Sequence, residues 1–312
     1  MTAHFLRSSD LSPAAQSSVL TVAADLKTQR DGALADERSP VRDDLYGRTV
    51  AIVFEKPSLR TRVSFEVGIH ELGGHSMKID EAEIGLGKRE TIADTAQVLS
   101  RYVQAIVLRT FGHERIDELA AHATVPVVNS LTDHEHPCQA LADLQTMHQS
   151  FGDVRGRTLT YVGDGNNVAH SLLVACAQAG VHVRVAHPAG YAPDENVVAA
   201  ARAAGARSGA DVVVTTDVRA AAEGAHALYA DVWTSMGQEA ENEARMRAFA
   251  GYAVDVPLMG LAAEDAILLH CLPAHRGEEV AAEVIDGPRS RVFDQAENRL
   301  HAQKALLLHL LT

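Results

Sequence analysis

Thr49-Val-Ala-Ile-Val-Phe-Glu-Lys-Pro-Ser-Leu-Arg-Thr-Arg-Val-Ser-Phe-Glu66 carries an unbroken apolar run into a basic turn and then into a helical pattern. Apolar residues without alternation over a short stretch fit a strand covered on both faces, the habit of parallel sheets. At the turn, backbone N–H groups of the helix start, the hydroxyls of Ser58 and Thr61 and the guanidinium of Arg60 can converge on one anion. A helix capped by Ser58, with Arg60 and Arg62 in solvent, fits the same residues equally well.

From this stretch outward, short β-branched runs alternate with longer helical patterns, the arrangement that builds parallel sheets flanked by helices. Strands are predicted at 49–55, 75–80, 104–110 and 125–131, with a helix from about Pro137 to Gln149. A second series follows at 157–163, 181–187, 210–216, 226–232, 266–272 and 290–295, separated by Ala-rich helices such as 196–206. The chain has 312 residues, which suits two domains of roughly 150 residues each. The linker 150–157 carries two glycines and charged residues and marks the boundary. The expected fold is therefore α/β: two doubly wound parallel-sheet domains, 1–149 and 150–294, joined by helices. A C-terminal helix over 295–312, with leucines on a broad face, is expected to return to the first domain.

Composition narrows the function classes. The formal charge of -13 disfavours nucleic acid and acidic membranes as partners, so a local cluster of basic residues points to a small anionic ligand. No segment approaches the roughly 18 consecutive apolar residues of a membrane span. The opening stretch, Met1 to Lys27, lacks the basic start and apolar block of a secretion signal, so a cytoplasmic protein is expected. Cys138, Cys176 and Cys271 are far apart and form no Cys-x-x-Cys pair, which indicates reduced thiols rather than disulfides or a zinc knuckle. The 16 histidines do not fall at metal-binding spacings: His70-Glu71 is followed by His75, one place too far for His-Glu-x-x-His, and His113-Glu114 leads to Asp117. No metal is expected.

Further motifs stand where strands end. His136-Pro-Cys-Gln139 opens a helix, with Pro137 suited to the first turn and residues 136 and 139 on one face. The pair can point at a carbonyl oxygen that gains negative charge, although on its own it reads more simply as a capped helix. Arg109 closes the run 104–109. Asp231-Val-Trp-Thr-Ser-Met-Gly237 follows one strand, and His270-Cys-Leu-Pro-Ala-His-Arg276 follows another, both at carboxyl ends where open α/β sheets place ligands. Gly163-Asp-Gly-Asn-Asn167 begins like a dinucleotide fingerprint, but Val168 occupies the place of the third glycine. Nicotinamide binding is weakly supported and no cofactor is expected.

Taken together, these segments resemble the aspartate and ornithine carbamoyltransferases over about residues 45 to 311. Ser58-Leu-Arg-Thr-Arg62 is similar to the family's carbamoyl-phosphate signature, with Leu59 where Thr is most frequent. The resemblance implies carbamoyl-phosphate binding by Ser58, Leu59, Arg60, Thr61, Arg109, His136, Gln139, Cys271, Leu272 and Arg299. It implies ornithine binding by Asn167, with Asn166 beside it, and by Asp231, Ser235 and Met236. Catalytic roles fall to Arg60, Arg109, His136, Asp231 and Cys271. Asp-x-x-x-Ser-Met-Gly and His-Cys-Leu-Pro resemble the ornithine branch, whereas aspartate enzymes usually carry His-Pro-Leu-Pro at the latter place. Carbamoyltransferases for N-acetylornithine, putrescine or aspartate stay open as alternatives, as does an inactive homologue serving as a binding subunit. The resemblance further implies a homo-oligomer, a trimer. Many relatives place Gln or His at position 85, reaching a neighbouring subunit's phosphate; here Gly85 stands there, leaving Lys88 or Arg89 as candidates for that contact.

Overall fold

The computed structural model describes residues 2–234 and 239–312. Among them, the apolar run at the start of the chain's basic motif forms β1 (Thr49–Phe54), buried from Val50 onward as a strand between two helical layers must be. Parallel neighbours β2 (His75–Asp80), β3 (Ala105–Arg109) and β4 (Val127–Leu131) complete a sheet in the order β2-β1-β3-β4. Phe5 lengthens its far edge: its N–H donates to the Val127 carbonyl (2.9 Å), and its own carbonyl accepts from Asn129 N–H (2.8 Å). Helices α1 (Pro13–Ala35), α2 (Leu59–Glu71), α3 (Glu81–Ile84), α4 (Ile92–Leu99), α5 (His113–His122) and α6 (Pro137–Phe151) belong to this half of the sequence. Ala51, Val53, Ile106 and Leu108 bury one face of the sheet against Ile92, Ala96, Ile116 and Leu119 of α4 and α5.

The second sheet is parallel and five-stranded among the described residues: β5 (Thr158–Val162), β6 (His182–Ala186), β7 (Val212–Thr215), β8 (Ala227–Ala230) and β9 (Ile267–His270) lie in the order β7-β6-β5-β8-β9. Its helices are α7 (Asn167–Ala179), α8 (Glu195–Ser208), α9 (Val218–Ala222), α10 (Asn242–Ala248), α11 (Val256–Met259) and α12 (Ala282–Ile285). The chain ends in α13 (Val292–Leu311). Two compact units result, Met1–Gln145 with Glu297–Thr312, and Thr146–Ala296, so α6 and α13 each run across a division.

Residues 290–295, expected as a strand, are not one. Ser290 keeps a single bridge to Leu268, and α13 starts at Val292. Six residues with a β-branched and an aromatic member cannot distinguish strand from helix by pattern alone. Here Val292 is buried while Phe293 is 72% exposed, and Gln295, Asn298, Arg299, Ala302 and Leu306 continue the buried face at helical spacing. The helix therefore absorbs the segment.

Both sheets are doubly wound. The winding leaves β1 in one direction to β2 and in the other to β3 and β4, and it leaves β5 toward β6 and toward β8. At such a reversal the loops beyond the carboxyl strand ends separate to opposite faces and leave a crevice, which is where open α/β sheets hold ligands. The motifs at 55–61 and 109–110 flank the β1/β3 reversal. Those at 163–167 and 231–234 flank the β5/β8 reversal.

Candidate active site

In the first unit, the turn after β1 delivers Ser58 as the N-cap of α2. Its hydroxyl accepts from Thr61 N–H (3.3 Å), leaving its own proton to donate. Leu59 is 73% exposed, so its side chain faces away from the buried groups, and only its backbone can serve a ligand. Thr61 is buried, and its Oγ1 accepts from Arg299 Nη2 (3.3 Å). Arg299 comes from α13 and is 3% exposed, which excludes the surface charge its helical position would otherwise suggest. Its Nη1 donates to Gln139 Oε1 (2.8 Å) and lies 3.5 Å from His136 Nε2. Gln303, with its amide oxygen turned toward the guanidinium, accepts from Nη2 (3.0 Å) and Nε (3.2 Å).

These four partners, Thr61, Gln139, His136 and Gln303, orient the Arg299 guanidinium. His136 is buried and held neutral: burial pushes its pKa well below the ordinary histidine value, and the charges of Arg299, Arg109 and Arg60 push further the same way. Three guanidiniums therefore stand within coulombic range of one imidazole. Because a guanidinium only donates, its approach to Nε2 makes that atom the acceptor and leaves the ring proton on Nδ1. Gln139 is fixed from both ends, its Nε2 donating to Asp143 Oδ1 (2.7 Å) one helical turn on. Asp143 was not singled out in the sequence, although the i to i+4 spacing from Gln139 places it on the same face. Cys138, inside the same motif, is a packing residue: its thiol donates to the Asn129 carbonyl (3.3 Å), and burial pushes its pKa up to about 12.

Gly85 has a physical reason. It ends α3 in the left-handed region (φ 51), where a β-carbon is strained. Of the two cations after it, Lys88 pairs with Glu81 (2.8 Å).

The second unit presents a carboxylate instead. Asp231, just beyond β8 and 6% exposed, accepts at Oδ2 from Asn166 Nδ2 (2.8 Å) and at Oδ1 from Val232 N–H (2.8 Å) and the Cys271 thiol (3.0 Å). Asn166 is the N-cap of α7, and its Oδ1 accepts from Val168 N–H, Ala169 N–H and the Tyr161 hydroxyl. Its amide is thus committed to the frame, while Asn167 is the first residue of the helix. Ser235 and Met236 lie outside the described residues.

Cys271 sits on a shaped loop. Leu272 adopts φ 57 and precedes a cis peptide bond to Pro273. Its N–H donates to His270 Nδ1 (2.8 Å), so the His270 proton is on Nε2, which faces Glu279 Oε1 (3.1 Å); the same oxygen accepts from His275 N–H (2.6 Å). Asp231, His270 and Cys271 bring ligand atoms within 4.8 Å of one another, yet both nitrogens of His270 are engaged, so a metal there would have to break the loop's own bonds. Behind Asp231, Arg245 of α10 donates to Asp164 Oδ2 (2.7 Å) and the Trp233 carbonyl (3.0 Å), tying the loop after β5 to the one after β8. Burial raises the Asp164 pKa, and Arg245 opposes that rise.

Comparison with known proteins agrees with this layout. Residues 3–149 match the model "Aspartate/ornithine carbamoyltransferase, carbamoyl-P binding domain", and 155–310 match "Aspartate/ornithine carbamoyltransferase, Asp/Orn binding domain". The chain is 60% identical to an ornithine carbamoyltransferase of Acidothermus cellulolyticus, over 100% of this chain and 97% of that protein. It resembles the solved ornithine carbamoyltransferase from Pyrococcus furiosus with TM-score 0.94 and 46% identity, covering 99% and 97% of the two chains. A solved acetylornithine transcarbamylase is more distant, at TM-score 0.87 and 31% identity over 99% of each chain. A doubly wound sheet with an oriented guanidinium cluster, a second with a hydrogen-bonded carboxylate and thiol, and full-length similarity agree: the chain belongs to the aspartate/ornithine carbamoyltransferase family.

Proposed function

We propose that the chain transfers the carbamoyl group of carbamoyl phosphate to the side-chain amine of L-ornithine, giving L-citrulline and phosphate. The observation that carries this reading is a division of charge. Arg299 is oriented by Thr61, Gln139 and His136, all neutral, and Asp231 by an amide, a backbone N–H and a thiol, all neutral. We assign the first, cationic arrangement to a phosphorylated donor and the second, anionic one to an ammonium.

Residues 1–149 with 295–312 take the donor in this proposal, and 150–294 take the amino acid. Ser58, Arg60 and Thr61, with the backbone at Leu59, bind the phosphate together with Arg299. Arg109, His136 and Gln139 hold the carbonyl oxygen, where the Nδ1 proton of a neutral His136 is the donor that a developing oxyanion requires. The Leu272 carbonyl receives the carbamoyl nitrogen. Ornithine's side-chain ammonium has a pKa of about 10.4 by analogy with lysine, so it must lose a proton before it can attack. In this reading Asp231 receives that proton, and the Cys271 thiol takes part only by passing its own proton to Asp231 as it accepts the amine's. The amine lone pair then forms the C–N bond, the C–O bond to phosphate breaks, and its electron pair leaves on phosphate, which also takes the second amine proton and whose remaining charge the guanidiniums meet. Asn167, Ser235 and Met236 receive the backbone end of ornithine. No cofactor enters these steps, and the working form is a homotrimer in the cytoplasm.

Assaying citrulline formation from carbamoyl phosphate and ornithine tests the reading, with N-acetylornithine, putrescine and aspartate as rival acceptors. Preference for any rival overturns the choice of acceptor, and absence of turnover with every amine overturns the enzyme.

A further inference from the structure

Beside the carbamoyl-phosphate residues lies a pair whose charges do cancel. Glu55 follows β1 directly, three residues before Ser58, and is 7% exposed. Arg115 of α5 grips its carboxylate with two bonds, Nη2 to Oε1 (2.6 Å) and Nε to Oε2 (3.1 Å). The same guanidinium donates from Nε to Thr110 Oγ1 (3.1 Å) and from Nη2 to the Leu86 carbonyl (2.8 Å). Thr110 in turn donates its hydroxyl proton to Glu55 Oε2, and Glu55 N–H donates to the Arg109 carbonyl (2.9 Å).

Three stretches are therefore clamped at one point: the entry to the phosphate turn, the tip of β3 that carries Arg109, and the segment 85–89. Leu86 is fully buried there, while the flanking Gly87, Lys88 and Arg89 are exposed. An ion pair with one partner buried and the other partly exposed adds little net stability, because desolvation and solvent screening offset its attraction, but a two-pronged guanidinium bond fixes geometry closely. Such a pair at strand tips serves placement better than it serves stability.

We infer that Arg115, acting through Glu55, is a positioning residue for carbamoyl phosphate, setting the spacing between the Ser58–Thr61 turn and Arg109. It touches neither substrate, and the inference rests on the function proposed above. The test uses the full-length protein, measuring kcat, the KM for carbamoyl phosphate and the KM for ornithine at saturating carbamoyl phosphate, with Tm alongside. Arg115→Met should raise the carbamoyl-phosphate KM about tenfold while leaving the ornithine KM within about twofold. Arg115→Lys should recover only part of that loss, since an ammonium cannot reproduce the fork. Glu55→Gln should match Arg115→Met, and the double variant should be no worse than either alone, the mark of one shared interaction.

An unchanged carbamoyl-phosphate KM in Arg115→Met overturns the inference. So does a fall in kcat and Tm with both KM values intact, which is the pattern of a merely structural pair. Where Arg115→Met does not fold, the lysine variant decides: a raised carbamoyl-phosphate KM supports positioning and a wild-type one refutes it. Arg60→Gln is the control for the underlying reading. If it raises that KM and Arg115→Met does not, only the positioning role fails; if neither changes it, the functional assignment itself fails.

Discussion

The loops beyond β1, β3 and β4 and those beyond β5, β8 and β9 are built on the same plan with opposite sign. In the first unit, Arg60, Arg109 and Arg299 crowd one neutral imidazole; in the second, one carboxylate is held by an amide, a backbone N–H and a thiol. Each unit also has fully paired charges close by, Glu55 with Arg115 and Asp164 with Arg245. Charges held by neutral partners keep their field for a ligand, whereas charges held by opposite charges serve as struts. Under the proposed function, one doubly wound sheet thus serves an anion or a cation according to the kinds of charged side chain its strand tips carry.

The most forceful way to break this contrast is to remove a cation from the first unit. Arg60→Gln should lower kcat/KM for carbamoyl phosphate by about 10³-fold, since charge developing on the leaving phosphate loses a preorganised donor. Steady-state citrulline formation checks it, and a value within tenfold of wild type would end the assignment of Arg60. On the other side, Asp231→Asn keeps the shape but removes the negative charge and the proton acceptor. It should cost about 10²-fold in kcat/KM for ornithine with the carbamoyl-phosphate KM unmoved. A loss shared equally by both substrates would erase the distinction between the units.

A smaller effect is expected from Asn166→Ala, which removes the α7 cap and the amide that holds Asp231. About 1–2 kcal/mol of stability should go, read from the urea midpoint at unchanged slope, together with a several-fold rise in the ornithine KM. Stability loss without any change in KM would mean that the amide serves only the helix.

Acid should also separate the two units. His113 and His301, both in the first, have pKa values lowered to about 4, burial being the leading cause in each. A histidine whose folded pKa lies below its unfolded 6.5 binds more protons when unfolded, so stability is full above 6.5 and falls with pH between about 6.5 and 4. His301→Gln should spare about 1 kcal/mol of that loss over the first pH unit below 6.5. Hydrogen exchange followed by peptide should show the relief in Met1–Gln145 and Glu297–Thr312 rather than in Thr146–Ala296. Equal relief in both would show that the units do not respond separately to acid.

How much of this was readable without coordinates varies from residue to residue. The apolar run at 49–54 announces a covered strand because burial on both faces removes the alternation that a half-exposed strand shows, and the basic turn after it is the ground on which an anion ligand is proposed there. Ser58 as a helix cap follows from its place before a helical pattern. Arg299 is different: the other nineteen residues of α13 surround it in sequence without saying which face is covered, and only packing against α2 and α6 residues turns it into a buried cation. The segment 290–295 misled for a related reason, since a short stretch carries too few residues to display a period.

What the amino-acid order determined by itself is local: strands from unbroken apolar runs, caps and turns from Ser, Asn, Pro and Gly, and the chemical kinds of side chain waiting at strand tips. Tertiary structure alone decided which partners the charged side chains meet. Arg115 meets Glu55 across 60 residues, Arg245 meets Asp164 across 81, and Arg299 meets Gln139 across 160. Chain entropy makes contacts at such separations invisible to neighbouring residues, so their partners are fixed only when the sheets wind and bring the tips together.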